Sequence, residues 1–204
     1  MYALMLSRKS SVEIKGIVYA IPERSDSWLF HYPNARWVSL QANALGLPAY
    51  TFRPKGGPNE ELRGLILFLR KLSEHVEFDA LICGVISSNY QKKRMDAVCS
   101  TLGLELIAPL WGRDPERLLR EIVNAGIKAL IVSVSALGLD ESWLGRLIDM
   151  QCVEEILALS RRYGIHPCFE GGEAETFVID CPMFSRKIEI LDYDIVKENL
   201  SAYM

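Results

Sequence analysis

The chain has 204 residues, of which 50% are hydrophobic and 24% are charged, and its formal net charge at pH 7 is −3. This length and balance predict a globular protein of one large or two small domains with a substantial core. The slightly acidic character argues against a protein that binds nucleic acid through the phosphate backbone. No apolar run approaches the roughly 20 residues that span a bilayer, and the N-terminus lacks the apolar core of a signal peptide, so we expect a cytoplasmic protein.

The cysteine pattern does not suggest a disulfide framework or a zinc site. The five cysteines are dispersed and contain no Cys-x-x-Cys pair; they are Cys83, Cys99, Cys152, Cys168 and Cys181. An odd number of scattered cysteines favours reduced thiols. The three histidines are too few and too dispersed for a convincing metal centre, so we predict no metal ligands.

The first part of the chain contains two apolar runs. Residues 2–6 predict a short buried strand, and residues 12–21, rich in β-branched side chains, predict a second strand. The connection at 7–11 is shorter than the dozen or more residues that a crossover helix needs. The two strands therefore either form a hairpin or lie parallel in a sheet whose connecting helix has been lost.

From residue 36 to residue 134, apolar runs alternate with amphipathic helical patterns. We predict helices at 36–45, 59–72, 92–102 and 114–125, and strands at 49–52, 80–84, 105–108 and 129–134. Asp114 is placed to cap the last of these helices, with Pro115 at its first position. The alternation of strands and helices with short loops indicates a parallel α/β sheet with right-handed crossovers.

The pattern changes after Ser135. We predict a short helical stretch near 142–147, a helix at 152–163, and strands at 176–181 and 187–193 that pair antiparallel. The expected organisation is therefore an α/β domain over residues 1–110, followed by a smaller α+β domain over residues 111–204.

An acidic, glycine-containing stretch stands just before the predicted strand at 176–181. Glu170, Glu173 and Glu175 flank the adjacent glycines Gly171 and Gly172. Neighbouring carboxylates repel and glycine packs poorly in a strand, so we predict a loop. Such a loop is often only a solvated turn. Here the flanking His-Pro-Cys and Cys-Pro segments look partly buried, so we expect the carboxylates to meet a metal, an ammonium group or an arginine.

Three segments follow predicted strands, at residues 7–11, 84–91 and 133–138. In a parallel sheet, ligands bind beyond the carboxyl ends of the strands, near helix N-termini. Ser87 and Ser88 could donate hydrogen bonds to a phosphate or to an adenine edge. Serine at such a position more often caps the following helix, so this feature alone is weak evidence of a site.

Several motifs occur in the order and at the spacing of a known family. They are FHYPN at 30–34, LQA at 40–42, ALGLP at 44–48, GVIS at 84–87 with Tyr90, Gln91 and Arg94, PLWGRD at 109–114, ALGLD at 136–140 and EGGEAETF at 170–177. From about residue 25 onward, the chain resembles the diphthine–ammonia ligase (diphthamide synthetase) family of N-type ATP pyrophosphatases. The resemblance implies a HUP-like, adenine nucleotide alpha hydrolase-like fold for the α/β domain.

The activity that the resemblance implies is ATP-dependent amide ligation. ATP, with Mg²⁺, would adenylylate the carboxylate of diphthine, a modified histidine of translation elongation factor 2, with release of pyrophosphate. Ammonia would then displace AMP and leave diphthamide. The acidic loop suits this chemistry, because the trimethylammonium of diphthine and an incoming ammonium are both cations that carboxylates and aromatic rings can hold.

The resemblance also assigns site residues. The catalytic residues would be the three loop glutamates, Glu170, Glu173 and Glu175. The nucleotide-binding residues would be Gly84, Ser87, Tyr90 and Gln91. In the place of the family's pyrophosphate loop, Ser7, Lys9 and Ser10 could still bind phosphate, and the alternative is that Arg8 and Lys9 only face solvent in a tight turn. The substrate pocket would be lined by Trp111, Gly171, Gly172 and Thr176.

The chain departs from the family pattern at its N-terminus. Family members begin with a strand, a pyrophosphate loop of sequence SGGKDS, and a first helix, whereas residues 7–11 read SRKSS and lead directly into the second predicted strand. The loop and the first helix are thus expected to be missing. Three hypotheses follow: a working ligase, a catalytically impaired paralogue that binds nucleotide or modified factor without turnover, and an α/β protein with neither property.

Overall fold

The structure, a computed structural model, describes residues 1–22, 34–198 and 201–204. The FHYPN motif at 30–34 lies outside the described residues apart from Asn34. Two compact units divide the chain, Met1–Trp111 and Gly112–Met204. No helix in the described part is both long enough and apolar enough to cross a membrane.

The N-terminal unit alternates helices and short strands. Its elements are α1 (Tyr2–Lys9), β1 (Ile17–Ala20), a 3-10 turn (Ala35–Trp37) that leads into α2 (Val38–Ala44), β2 (Ala49–Phe52), α3 (Pro58–Leu72), β3 (Ala80–Ile82), α4 (Asn89–Leu102) and β4 (Glu105–Ile107). β1 pairs with β2 and β3 pairs with β4, both in parallel. The mixed α/β fold with parallel strands that the sequence predicted is therefore confirmed.

Local sequence signals fix the longer helices of this unit. α3 begins with Pro58 and carries Glu60 and Glu61 in its first turn, where acidic groups are favourable to the helix dipole. Its apolar stripe buries Leu65 and Leu69, which join a buried cluster with residues of β1, β2 and α4. These helices pack their apolar faces against the parallel strands, as their sequence period requires.

The prediction of a strand at residues 2–6 is wrong, because these residues belong to the helix α1. The sequence from 2 to 9, YALMLSRK, contains strong helix formers and no β-branched residue, and the helix buries Ala3, Leu4 and Met5. The expectation that the first helix is missing is wrong for the same reason. The second predicted strand is shorter than expected, since only Ile17–Ala20 of residues 12–21 forms β1.

The C-terminal unit is built on an antiparallel sheet. Its elements are α5 (Pro115–Asn124), β5 (Lys128–Val134), a 3-10 turn (Glu141–Trp143), α6 (Met150–Tyr163), β6 (Ala174–Asp180), β7 (Val196–Glu198) and β8 (Ser201–Tyr203). The strand order is β6-β5-β8-β7. β5 is antiparallel to both of its neighbours, so the prediction that it continues a parallel sheet is wrong.

The predicted strand at 187–193 is also wrong. These residues form no strand. A backbone hydrogen bond connects them to β6, from the Ile188 N–H to the Ile179 carbonyl at 2.7 Å. β6 pairs instead with β5. Burial explains the difference, since Leu191 is 93% exposed whereas Ile131 of β5 is completely buried.

Candidate functional site

The acidic loop is held in shape by one of its own carboxylates. The loop follows α6 and enters β6, and the two carboxylate oxygens of Glu173 accept the backbone N–H groups of His166 at 2.8 Å and Gly171 at 2.9 Å. A Cβ atom at Gly171 would lie only 2.7 Å from Oε1 of Glu173, so glycine permits this close approach. Hydrogen bonds to an ionised acceptor are stronger than neutral ones, which makes Glu173 an internal organiser of the loop.

His166 provides a second acceptor inside the loop. Its Nδ1 accepts the N–H groups of Cys168 at 3.2 Å and Glu170 at 3.4 Å. This role requires a lone pair on Nδ1. His166 was not predicted to form part of the loop, although its spacing of two and four residues from the N–H donors Cys168 and Glu170 was an available signal.

A sharp turn at Phe169 completes the loop. Phe169 is a buried non-glycine residue with φ of +59°, and its N–H donates to the His166 carbonyl at 2.8 Å. Its own carbonyl accepts from Gly172 at 3.2 Å. A left-handed conformation at a bulky residue costs of order 1 kcal/mol or more and persists only where the surroundings enforce it, as they do at many functional loops.

The loop is anchored to the end of β5. Ser135 donates its N–H to the Glu173 carbonyl at 2.8 Å and its hydroxyl to the Gly172 carbonyl at 2.5 Å. One register pair of the ladder joins Glu175 to Ser133. The structure thus brings together two segments that the sequence singled out separately, residues 133–138 and the acidic loop.

Glu170 stands close enough to the Cys168 thiol to influence its pKa. Burial raises the pKa of the neighbouring Cys168 thiol to about 12, and the negative charges of Glu170 and Asp114 add to the rise. The Cys168 thiol also donates to the Pro115 carbonyl at the start of α5, at 3.4 Å. Glu170, Glu173 and Glu175 are all half-buried, whereas Gly171, Gly172 and Thr176 are exposed. A cation reaching the loop would meet carboxylates that water screens only partly.

The segment at 84–91 leads from β3 into α4. Gly84 and Ser87 are exposed, and Ser88 caps α4 by accepting the Gln91 N–H at 3.3 Å. Tyr90 stacks against the Arg94 guanidinium, whose Cζ lies 3.5 Å from the ring centroid. The spacing of four residues on a helix is the sequence signal that could have predicted this contact between Tyr90 and Arg94.

Trp111, predicted to line the substrate pocket, lies at the end of the N-terminal unit. The Lys92 ammonium of α4 lies 5.4 Å from the centroid of its ring. Lys92 also pairs with Asp96 at 2.8 Å. Two cations on α4, Lys92 and Arg94, therefore each lie over an aromatic ring, and sequence analysis gave no role to Lys92.

The three N-terminal site candidates lie at the C-terminal end of α1. The Ser7 hydroxyl is buried and finds no hydrogen-bond partner in the described part of the chain, while Lys9 is exposed. The Ser10 hydroxyl donates back to the Leu6 carbonyl at 3.3 Å. A helix C-terminus presents carbonyl groups and a negative partial charge, which is unfavourable to phosphate.

No metal centre is formed by the residues that the structure describes. No group of three or more His, Cys, Asp or Glu side chains among them is arranged to hold a metal ion. The three glutamates of the loop are therefore not a ready-made metal site. They remain suited to an organic or ammonium cation.

Comparisons with known proteins assign both units to one family. A family model described as the diphthamide synthase N-terminal domain matches residues 1–106, and one described as the diphthamide synthase C-terminal domain matches residues 114–204. The chain is 37% identical over 190 residues to a diphthine–ammonia ligase of Bos taurus, covering 87% of this chain and 71% of that protein. It is 35% identical over 190 residues to the one of Homo sapiens, with the same coverage, and 34% identical over 189 residues to the one of Schizosaccharomyces pombe, covering 85% of this chain and 30% of that protein.

Proposed function

The chain belongs to the diphthamide synthase family, and on that premise we propose that it is an ATP-dependent amide ligase that converts diphthine to diphthamide. The observation that supports this best is that matches to the family's N-terminal and C-terminal domains together span nearly all of the chain. The resemblance drawn from the motifs is confirmed, and the N-terminal domain of this family is of the HUP-like type.

The proposed reaction has two steps. A carboxylate oxygen of diphthine attacks the α-phosphorus of ATP, the bond between the α- and β-phosphates breaks, and pyrophosphate leaves. The nitrogen of ammonia then attacks the acyl carbon, the bond to AMP breaks, and the amide forms with loss of a proton. The protein substrate would be translation elongation factor 2, and we expect both proteins to meet in the cytoplasm.

In the proposed reaction, Mg²⁺ would bind together with ATP, through its phosphates. Mg²⁺ usually binds through substrate phosphates, waters and one or two carboxylates, so the lack of a three-ligand cluster in the described residues is compatible with it. We assign it no ligand residue. No step above depends on one.

We propose different roles for the three glutamates. Both oxygens of Glu173 accept backbone N–H groups, so Glu173 would position the loop. Glu170 and Glu175 would attract the trimethylammonium of diphthine or the ammonium ion. Gly171, Gly172 and Thr176 would line the pocket for the modified histidine.

The nucleotide would bind through the segment after β3. Gly84 and Ser87 are exposed there, Tyr90 and Gln91 stand in the first turn of α4, and a helix N-terminus favours anionic groups. Among Ser7, Lys9 and Ser10, Lys9 offers an exposed cation that could approach a phosphate. The buried hydroxyl of Ser7 and the helix-end position of all three give the phosphate role less support.

One observation favours the second candidate function, a paralogue that binds without turnover. Residues 7–11 form the last turn of α1 and its C-terminal cap instead of preceding a helix, so they present carbonyl groups where a phosphate loop presents N–H groups. A paralogue without a phosphate loop would keep the acidic loop and the segment at 84–91. It would bind AMP or modified factor and release no pyrophosphate.

A test is the release of AMP from ATP by the purified protein with ammonium and elongation factor 2 that carries diphthine. We expect AMP release to need all three components. Glu170→Gln should lower kcat/KM for the modified factor about tenfold, because loss of one partly desolvated ionic contact costs roughly 1.4 kcal/mol. Glu189→Gln, on an exposed glutamate of the same unit, should leave it unchanged. Folded protein that binds ATP but releases no AMP would exclude the ligase and leave the binding paralogue.

A further inference from the structure

Arg94 of α4 is half-buried and, among the residues that the structure describes, forms no ion pair. Its guanidinium lies over an aromatic ring, with Cζ 3.5 Å from the centroid of Tyr90. Its Nε is buried and has no hydrogen-bond partner in the same described residues. Buried polar groups in proteins are nearly always hydrogen-bonded, so an unpaired donor that belongs to a charged group needs an explanation.

The other half-buried cations in the described part of the chain each have a carboxylate partner. They are Lys92, Arg113, Arg120 and Arg146, which pair with aspartate or glutamate. Lys92, two residues before Arg94 on α4, contacts Asp96 at 2.8 Å. Partial burial of a charge is costly unless an opposite charge meets it, so the exception at Arg94 is consistent with an anion that the chain itself does not supply.

The start of α4 favours a bound anion for a second reason. Its first turn contains no acidic residue, whereas the first turn of α3 contains Glu60 and Glu61 and that of α5 contains Glu116. Three basic residues, Lys-Lys-Arg, follow at 92–94. Positive charges close to the positive end of a helix dipole are unfavourable, and an anion bound there would offset the repulsion.

The direction of the helix places the Arg94 guanidinium beside the segment that follows β3. Side chains on an α-helix lean towards its N-terminus, and the contact with Tyr90, one turn earlier, has this direction. Gly84 and Ser87, both exposed, precede the helix in the same segment. Arg94 therefore adds a cation next to the residues that we propose to bind the nucleotide.

We propose that Arg94 binds a phosphate group of the nucleotide, and that the Tyr90 ring holds the guanidinium in place for this contact. The inference rests on the proposed nucleotide site at 84–91 and adds a residue to it. A guanidinium suits this task because its planar N–H groups match phosphate oxygens and because it keeps its charge at any physiological pH. The ring covers one face of the guanidinium, and a phosphate would supply the missing negative charge.

Calorimetry with AMP and adenosine tests the contact, because the two ligands differ by the phosphate alone. Arg94→Gln should raise the Kd for AMP about tenfold, since a charge-assisted contact to the phosphate is lost. The Kd for adenosine should change by less than about twofold, because adenosine makes no such contact. Arg94→Lys should recover part of the AMP affinity, since lysine keeps the charge without the planar N–H groups.

Lys93→Gln is the matched control for the loss of charge. It removes one positive charge from the neighbouring position, where the side chain is exposed and screened by solvent. The Kd for AMP should therefore change by less than about twofold in this variant.

NMR of the unaltered protein gives a measurement that does not depend on the folding of any variant. The side-chain Nε–H resonance of Arg94 should shift when AMP or inorganic pyrophosphate is added. It should stay in place when adenosine is added, because adenosine carries no phosphate. A resonance that responds equally to AMP and adenosine would contradict the proposal.

Three calorimetric results would overturn the proposal. Equal weakening of AMP and adenosine binding by Arg94→Gln would mean that Arg94 supports the shape of the pocket and contacts no phosphate. Equal weakening of AMP binding by Lys93→Gln would mean that the general positive charge of α4 is sufficient. The third is an unaltered protein that binds AMP no more tightly than adenosine.

These results are separate from the test of the ligase activity. AMP binding that depends on Arg94, in a protein that forms no amide, would support the phosphate contact and contradict the ligase. Amide formation by a protein whose AMP binding is unaffected by Arg94→Gln would support the ligase and contradict the phosphate contact.

Discussion

Glu173 illustrates how a residue's role differs from what its charge suggests. The sequence placed it with Glu170 and Glu175 as a carboxylate for a cation, and the spacing gave no means to separate the three. In the folded loop, Glu173 accepts two backbone N–H groups, which only the three-dimensional path of residues 166–173 reveals. Its charge therefore contributes first to the structure of the loop.

Glu173→Ala should lower the free energy of unfolding by about 1–3 kcal/mol, because two N–H groups lose a charged acceptor. Gly171→Ala should act in the same direction, since its Cβ would displace the same carboxylate. Urea unfolding followed by circular dichroism measures both. Glu189→Ala, on an exposed side chain, serves as the control and should change stability by less than about 0.5 kcal/mol. A Glu173→Ala protein as stable as that control would contradict the role.

The raised pKa of Cys168, about 12, makes a prediction about reactivity and pH. Burial is the main cause, followed by Glu170 and Asp114. The thiolate is the reactive form, so at pH 8 native Cys168 should react with iodoacetamide at least about tenfold more slowly than in the urea-unfolded chain. Peptide mass spectrometry measures both rates. Equal rates would contradict the burial of this thiol.

The raised pKa of Cys168 also makes the stability of the fold depend on pH. The folded pKa lies above the unfolded value of about 8.5, so the unfolded chain loses the Cys168 proton first as pH rises. The contribution of Cys168 is therefore complete below about pH 8.5 and is lost progressively between there and about pH 12. Cys99 and Cys152, whose pKa values burial raises to about 11, contribute in the same direction.

Helix elements with strong end signals were the most predictable part of the fold. Asp114 and Pro115 at the start of α5, and the αL glycines Gly103 and Gly164 that close α4 and α6, are determined by local backbone chemistry. The structure of residues 2–6 was not predictable in this way, because a short apolar run suits either a strand or a buried helix. The pairing of β6 with β5 depended on the burial of residues that are distant in sequence, and a local sequence pattern carries no information about such burial.

The N-terminal cap of α6 leads to a prediction about stability. Asp149 accepts the Cys152 N–H at 2.8 Å and starts α6, the helix that leads to the acidic loop. Asp149→Ala should lower the free energy of unfolding by about 1 kcal/mol, whereas Asp149→Asn, which retains an accepting oxygen, should stay within a few tenths of the parent. Thermal unfolding of the three proteins distinguishes these values. Equal losses in both variants would show that the cap does not act through its hydrogen bond.

At the scale of the whole molecule, the family was readable from motifs spread along the chain, and the comparisons confirm it. The acidic loop was also recognised as a unit, although its internal hydrogen bonds were not. The N-terminal region was the least predictable. The packing of its helix α1 against β3 depends on contacts between distant residues, which composition and spacing do not specify.

The reaction that we propose for this chain is the formation of an amide on diphthine. The most direct measurement is mass spectrometry of the modified histidine after incubation of diphthine-bearing elongation factor 2 with the purified protein, ATP and ¹⁵N-labelled ammonium. We expect one ¹⁵N atom per modified residue, present with ATP and absent without it. A modified histidine that remains diphthine, in the presence of folded protein that binds ATP, would contradict the claim.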